Sequence, residues 1–94
     1  MIKIEWLPEA HANLEEIVDY LEINSSVNIT SFLDDLENTI NQLKTFPELG
    51  KKVPRKKKYR QLLYKKYRII YEFKKKEEKV IIILIIHGSR ILSL

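Results

Sequence analysis

The sequence predicts a single α+β domain, in which a strand and an antiparallel helix hairpin precede a three-stranded antiparallel meander, with all strands in one sheet. The strongest signal is the run 80–86, seven consecutive apolar residues of which six are Ile or Val. A short β-branched run between charged clusters is typical of a strand buried on both faces. The second signal is apolar residues at helical spacing in two segments before residue 47. Since 94 residues suffice for one modest core, residues 1–94 are predicted to form one domain.

The N-terminal segment predicts the first strand. Ile2, Ile4 and Trp6 alternate with Lys3 and Glu5. An alternation of period two indicates a half-buried strand with one face in solvent.

Two amphipathic helices are predicted next. The first covers about 8–23 and begins at Pro8, which a first helical turn tolerates. The second covers about 28–46 and ends before Pro47. The break at 24–26 (Asn-Ser-Ser) leaves a loop that allows only antiparallel packing, so the helices form a hairpin.

The second half predicts the rest of the sheet. A basic loop at 51–58 leads to strands at 59–64 and 67–73, and the charged segment 74–79 connects the latter to the Ile-rich run. Alternation places Tyr67 and Tyr71 on the face toward the helices and Arg68 on the open face. We expect Arg60 and Tyr64 to lie on the open face with Arg68.

Charge is divided unevenly along the chain. Residues 1–50 carry ten acids and two bases, net −8, whereas residues 51–94 carry three acids and fifteen bases, net +12. Such segregation favours an anionic partner for the second half, with nucleic acid as the leading candidate. Lys57, Lys58, Arg60 and Tyr64 are therefore candidate binding residues for nucleic acid or another target. The alternative is that the lysines only keep an Ile-rich domain soluble.

Composition argues against several classes of site. The chain has no cysteine, and its two histidines stand at no metal-ligand spacing, so no metal site or cofactor is expected. No basic segment followed by an apolar one marks an export signal, and no apolar stretch is long enough to cross a membrane. A cytoplasmic protein without a membrane partner is expected.

The order of elements, with particular residues on them, resembles the RelE/ParE superfamily of toxins from bacterial type II toxin–antitoxin systems. The matching pieces are Trp6 with Ala12, Leu14, Ile17 and Tyr20, the segment 46–50 (FPELG), Tyr59-Arg60, 67–71 (YRIIY) and 87–90 (HGSR). The resemblance implies a toxin that inhibits growth, contributes to plasmid stabilisation and is neutralised by a cognate antitoxin. Its targets in the superfamily are DNA gyrase or the ribosome with its mRNA.

The resemblance implies two different mechanisms. In RelE-like ribonucleases, cationic side chains on the open face act on RNA without a metal; here Arg68 and Arg90 are similar to two of them, and His87 would transfer protons. Arg60 is similar to one of their lysines, but a second lysine falls at Leu62 and their C-terminal tyrosine is absent. These departures favour ParE-like inhibition of gyrase, with a RelE-like ribosome-dependent endoribonuclease as the alternative. A third class, a nucleic-acid-binding module without toxicity, requires only the basic surface.

Structural roles compete with these functional ones. His87 ends a buried strand, where its ring would satisfy a backbone group, and His11 would lie at the edge of the core. Arg68 and Glu72 share a face of one strand, so an internal ion pair competes with substrate contact. The resemblance also makes Glu48 a candidate for proton transfer, since some relatives use a Glu together with a His.

Overall fold

The computed structural model describes residues 1–90 and contains five strands and two α-helices. Short 3₁₀ turns at Gln42–Lys44 and Lys75–Glu77 complete the secondary structure. The elements are β1 (Lys3–Trp6), α1 (Pro8–Asn24), α2 (Ile29–Asn41), β2 (Lys51–Val53), β3 (Lys56–Tyr64), β4 (Tyr67–Lys74) and β5 (Lys79–His87).

The strands form one sheet in the order β1-β5-β4-β3-β2. β1 is parallel to β5, and the other neighbours are antiparallel. The predicted α+β architecture is confirmed, but the sheet has an additional strand, because three residues of the predicted basic loop form β2. The sequence does not predict β2, because this strand begins with Lys51-Lys52 and a charged edge strand lacks the apolar alternation of a half-buried strand.

The helices begin where the sequence predicts and cover one face of the sheet. Pro8 lies in the first turn of α1, and the side chain of Asn28 caps α2 by accepting a 3.0 Å hydrogen bond from the Ser31 backbone N–H. α2 is shorter than predicted, because the chain tightens into a 3₁₀ turn after Asn41. The turn still buries Leu43.

The core lies between the helices and the aromatic face of β4. Helix side chains Phe32, Leu36 and Ile40 pack in one cluster with Ile69 and Tyr71. Tyr67 and Phe73 pack against this cluster as well, so the predicted face of β4 toward the helices is confirmed. Nonpolar burial of this kind is the main favourable term for folding.

A β-bulge interrupts β5. Ile70 pairs with Leu84 and Tyr71 pairs with Ile82, which leaves Ile83 without a partner on β4. An extra residue reverses the alternation of side chains beyond it. Val80 and Ile82 point toward the helices before the bulge, and Ile85 does so after it.

Candidate functional site

Arg68 lies on the open face of the sheet, as predicted, but its guanidinium is engaged within the protein. One terminal nitrogen donates to Oε1 of Gln61 at 3.2 Å, and the other donates to the backbone carbonyl of Arg90. Its Nε is buried and makes no hydrogen bond within the described part of the chain. The ion pair with Glu72, one of two alternatives for Arg68, does not form among residues 1–90; the neutral Gln61 on β3 accepts a hydrogen bond from Arg68 instead.

The expectation that Arg60 shares the open face is wrong. It pairs with Tyr71 across β3 and β4, and Tyr71 belongs to the core on the helix side. There its guanidinium donates to the carbonyl oxygen of Gly50 at 2.8 Å and to the carbonyl oxygen and carboxylate of Glu48 at 3.2 Å. Arg60 therefore fastens the loop before β2, and three acceptors already occupy its donors.

The prediction that Tyr64 lies on the open face is also wrong, because its side chain is buried on the helix side. Its ring packs edge-on against Phe32 at 5.6 Å, and its hydroxyl donates to the Phe32 carbonyl oxygen at 3.3 Å. A base therefore cannot stack on this ring without displacing α2. Lys65 stands over both rings, 5.7 Å from that of Phe32 and 5.5 Å from that of Tyr64.

Lys57 and Lys58 are exposed, as a binding role requires. They line a cleft of ≈ 270 Å³ together with Arg60, Glu48 and Glu72. Two carboxylates in the lining offset part of the positive charge. The structure thus groups three of the predicted cations at one end of β3, away from Arg68.

His87 lies on the side of the sheet opposite Arg68. It pairs with Tyr67, whose ring it meets edge-on at 6.0 Å. Its Nδ1 accepts the backbone N–H of Ser89 at 3.2 Å and lies 2.7 Å from the Ser89 hydroxyl. A backbone N–H can only donate, so Nδ1 is the acceptor and the neutral ring carries its proton on Nε2. The structural role predicted for His87, that it satisfies a backbone group, is confirmed.

Arg90 is brought beside Arg68 by a turn that follows β5. The Arg90 N–H donates to the His87 carbonyl oxygen at 3.0 Å, and Gly88 N–H donates to the Lys66 carbonyl oxygen at 2.6 Å. The Arg90 side chain is exposed. The two arginines therefore meet through the Arg68 side chain and the Arg90 backbone, which leaves the Arg90 guanidinium directed by neither contact.

The segment 46–50 is held by a buried tyrosine that sequence reasoning assigned only to the core. The Tyr71 hydroxyl donates to the Pro47 carbonyl oxygen at 2.8 Å and accepts the Gly50 N–H at 2.8 Å. Burial raises the pKa of the Tyr71 phenol above its ordinary value, a shift that the hydrogen bond from Gly50 opposes. The loop that carries Glu48 is thus fixed from beneath.

The remaining candidates occupy peripheral positions. His11 is exposed rather than at the edge of the core, and its Nδ1 lies 2.9 Å from the Glu15 carboxylate one turn along α1.

Within residues 1–90, no group of three or more His, Asp or Glu side chains is arranged to hold a metal ion. No helix in that range is long and apolar enough to span a bilayer.

Comparison with known proteins gives a family. The family model described as ParE toxin of type II toxin-antitoxin system, parDE, matches residues 4–92. No curated protein sequence matches the chain.

Two solved toxin–antitoxin systems are similar in structure. One is the RelBE2 complex from Mycobacterium tuberculosis, with a TM-score of 0.67 and 16% identity over 90% of this chain and 95% of the other. The second is the chromosomal ParDE system from P. aeruginosa, with a TM-score of 0.66 and 16% identity over 95% of this chain and 98% of the other. These likenesses show a common fold, and the family model spans nearly the whole sequence. The chain belongs to the ParE toxin family of type II toxin–antitoxin systems.

Proposed function

We propose that this toxin arrests bacterial growth in the cytoplasm by binding DNA gyrase and inhibiting it, rather than by cutting RNA. The observation that supports this is the separation of the polar groups that a ribonuclease would need together. Arg68 is on the open face, His87 is on the opposite side, and Arg60 is fastened to the loop that carries Glu48.

Metal-independent RNA cleavage has defined requirements. A base must take the proton of the 2′-hydroxyl, an acid must protonate the leaving oxygen, and cations must stabilise the phosphorane between them. All three must reach one phosphate. In this chain the ring nitrogen of His87 that lacks a proton already accepts the backbone N–H of Ser89, so it is not free to take the proton of a 2′-hydroxyl.

A cognate antitoxin is the partner that the family implies, and the open face supports a particular mode of binding. Leu63 on this face is 69% exposed, and it pairs across the strands with Arg68. We propose that an antitoxin segment with both acidic and apolar side chains covers Leu63 and pairs with the neighbouring cations. Such a segment would order as it binds.

The test compares the two targets directly. Purified toxin is added to a gyrase supercoiling reaction, and transcripts are mapped in cells after induction of the toxin. Inhibited supercoiling with intact transcripts is expected, and co-expression of the antitoxin should restore growth. Normal growth with folded toxin present would refute the toxin function itself, while full gyrase activity with codon-phased cuts would refute the choice of target.

The second candidate is a RelE-like ribosome-dependent endoribonuclease. The observation that favours it is that Arg68, His87 and Arg90 all lie at the same end of the sheet, where β4 begins and β5 ends. His87→Ala separates the two mechanisms, because His87 is exposed and outside the core. Toxicity should survive this substitution if the toxin acts by binding gyrase, and it should fall steeply if His87 transfers protons.

A further inference from the structure

β1 is an edge strand whose outer side binds no other strand among residues 1–90. On its inner side, the Lys3 N–H donates to the carbonyl oxygen of Glu78, just before β5, and the Leu7 N–H donates to that of Ile82 in β5, both at 3.0 Å. Hydrogen-bonding groups alternate in direction along a strand, so the odd-numbered residues face β5. The N–H and C=O groups of Ile2, Ile4 and Trp6 therefore point outward. This edge offers a row of backbone groups to another strand.

We propose that this edge binds the same edge of a second copy of the chain. The two β1 strands would run antiparallel about a two-fold axis at Ile4. The described part of each chain contributes five strands, so the pair would form one continuous sheet of ten such strands. An interface of this kind is self-complementary, because the same residues serve on both sides.

The charges of β1 select this register. Because only even-numbered residues face outward, an antiparallel pair can be centred on residue 3, 4 or 5. A centre at Lys3 places that lysine opposite its own copy, and a centre at Glu5 does the same for the glutamate. A centre at Ile4 places Lys3 opposite Glu5 of the second copy, twice by symmetry. Opposite charges stabilise a cross-strand pair and like charges destabilise it.

The same register matches the backbone hydrogen bonds. Ile4 faces its own copy, and Ile2 faces Trp6 of the second copy, so all three outward-facing residues exchange N–H···O=C bonds. Lys3 and Glu5 are both exposed, so their side chains can meet across the strands. Charged side chains commonly protect edge strands against pairing. Here the two opposite charges exclude the shifted registers and leave one.

An apolar groove beside this edge adds a second reason for pairing. It has a volume of ≈ 590 Å³, and the residues that line it include Ile2, Ile4 and Trp6 of β1 with Leu14 and Leu33 of the helices. In the proposed register the indole of the second copy stands over Ile2, at the open end of the groove. Pairing would thus remove apolar surface from water on the helix side of both sheets.

The experiment measures self-association of the full chain, prepared with its antitoxin and then freed of it. Sedimentation velocity over a wide concentration series should show a monomer–dimer equilibrium. Lys3→Glu and Glu5→Lys each place like charges opposite each other twice, and should weaken the dimer roughly tenfold. An equimolar mixture of the two variants should recover the dimer, because opposite charges then face each other in the mixed pair.

Matched controls distinguish pairing of the two β1 strands from a general effect of charge or stability. Lys44→Glu reverses a charge that lines the same groove but lies outside β1, and it should leave the dimer unchanged. Glu5 also lies 3.6 Å from Lys79, so thermal unfolding of every variant is measured, and the double variant Lys3→Glu/Glu5→Lys should associate as the parent does. A monomeric parent, a dimer insensitive to both single reversals, or a mixture that stays monomeric would each overturn the proposal. Dimers that form only when antitoxin is present would overturn it as well.

Discussion

The hydroxyl of Tyr71 meets the backbone of Gly50 in the core, and no side chain fits between them. A Cβ at position 50 would lie 2.7 Å from Cε1 of Tyr71, 2.8 Å from its hydroxyl and 2.7 Å from the carbonyl oxygen of Gln61. All three distances are below those that real Cβ atoms show. The glycine in the segment 46–50 is therefore required by a close approach of backbone and ring.

Substitution of this glycine should be costly for the fold. Gly50→Ala forces the loop away from Tyr71 and is expected to lower the free energy of unfolding by about 1–3 kcal/mol, as overpacking does. Urea denaturation measures the change. Gly88→Ala is the matched control, because a Cβ there would approach only the Lys66 backbone, at 3.1 Å, and the site is exposed. A larger loss for Gly88→Ala than for Gly50→Ala would contradict this account.

Stability at high pH should depend on Tyr71. Its raised pKa means that the phenol holds its proton more tightly in the folded state than in the unfolded state. The protonated phenol therefore stabilises the fold, and this stabilisation is fully present below the ordinary pKa of 10.0. It is lost as the pH rises through the higher pKa of the folded state. Unfolding measured from pH 9 to pH 11.5, around that ordinary value of 10.0, should therefore show a steeper fall for the parent than for Tyr71→Phe.

Among residues 1–90, two other groups also have a pKa raised above the ordinary value and require controls. Burial raises the pKa of Tyr67, and hydrogen bonding to Glu77 raises that of Lys79. Both remain in Tyr71→Phe, so the difference between the two curves isolates Tyr71. At neutral pH the same variant should lose about 1–3 kcal/mol, since the buried Gly50 N–H is left without its acceptor. If the stabilities of the parent and Tyr71→Phe fall in parallel at all pH values, the loss of stability is not due to ionisation of Tyr71.

The side on which a residue lies was the hardest feature to predict from the sequence. The strands, the helix hairpin and the aromatic face of β4 follow from hydrophobic periodicity. The face of Arg60 could be predicted from the sequence, because the signal is the two-residue turn at Lys65-Lys66. This turn pairs Tyr64 with Tyr67. That pairing puts the even residues of β3 on the face of the odd residues of β4.

The position of His87 has no such signal. Uninterrupted alternation from Ile82 would put His87 on the open face beside Arg68. The bulge at Ile83 reverses the alternation, and the run of Ile and Val carries no mark of where an extra residue lies. Separate faces for Arg68 and His87 are therefore a property of the folded sheet, which local patterns do not specify.

The tautomer of His87 can be checked directly. At neutral ring charge the proton should lie on Nε2, since Nδ1 accepts from the Ser89 backbone. Nitrogen chemical shifts from a long-range ¹H–¹⁵N experiment distinguish the two tautomers. Ser89→Ala removes the hydroxyl but keeps the N–H, so the Nε2–H form should persist. A dominant Nδ1–H form in the parent would show that the Ser89 contact is absent in solution.

The last prediction concerns the open face, where Arg68 and Arg90 are expected to contact the target. Arg68→Ala and Arg90→Ala should each reduce growth arrest, with roughly 1–3 kcal/mol of binding lost for each charge-assisted contact removed. The fold should survive, because Arg90 is exposed and the loss of Arg68 removes only its hydrogen bonds to Gln61 and to the Arg90 carbonyl oxygen, a cost of about 1–3 kcal/mol.

Gln61→Ala is the matched control for Arg68. It removes one internal partner of the guanidinium but leaves both arginines, so it should lower stability by about 0.5–1.5 kcal/mol while growth arrest is retained. Growth curves after induction and thermal unfolding are measured for all three variants. If both arginine variants stay fully toxic, the contact surface lies elsewhere. If Gln61→Ala abolishes toxicity as fully as Arg68→Ala does, Arg68 acts by holding the turn at Arg90, because a guanidinium that touched the target itself would still be present.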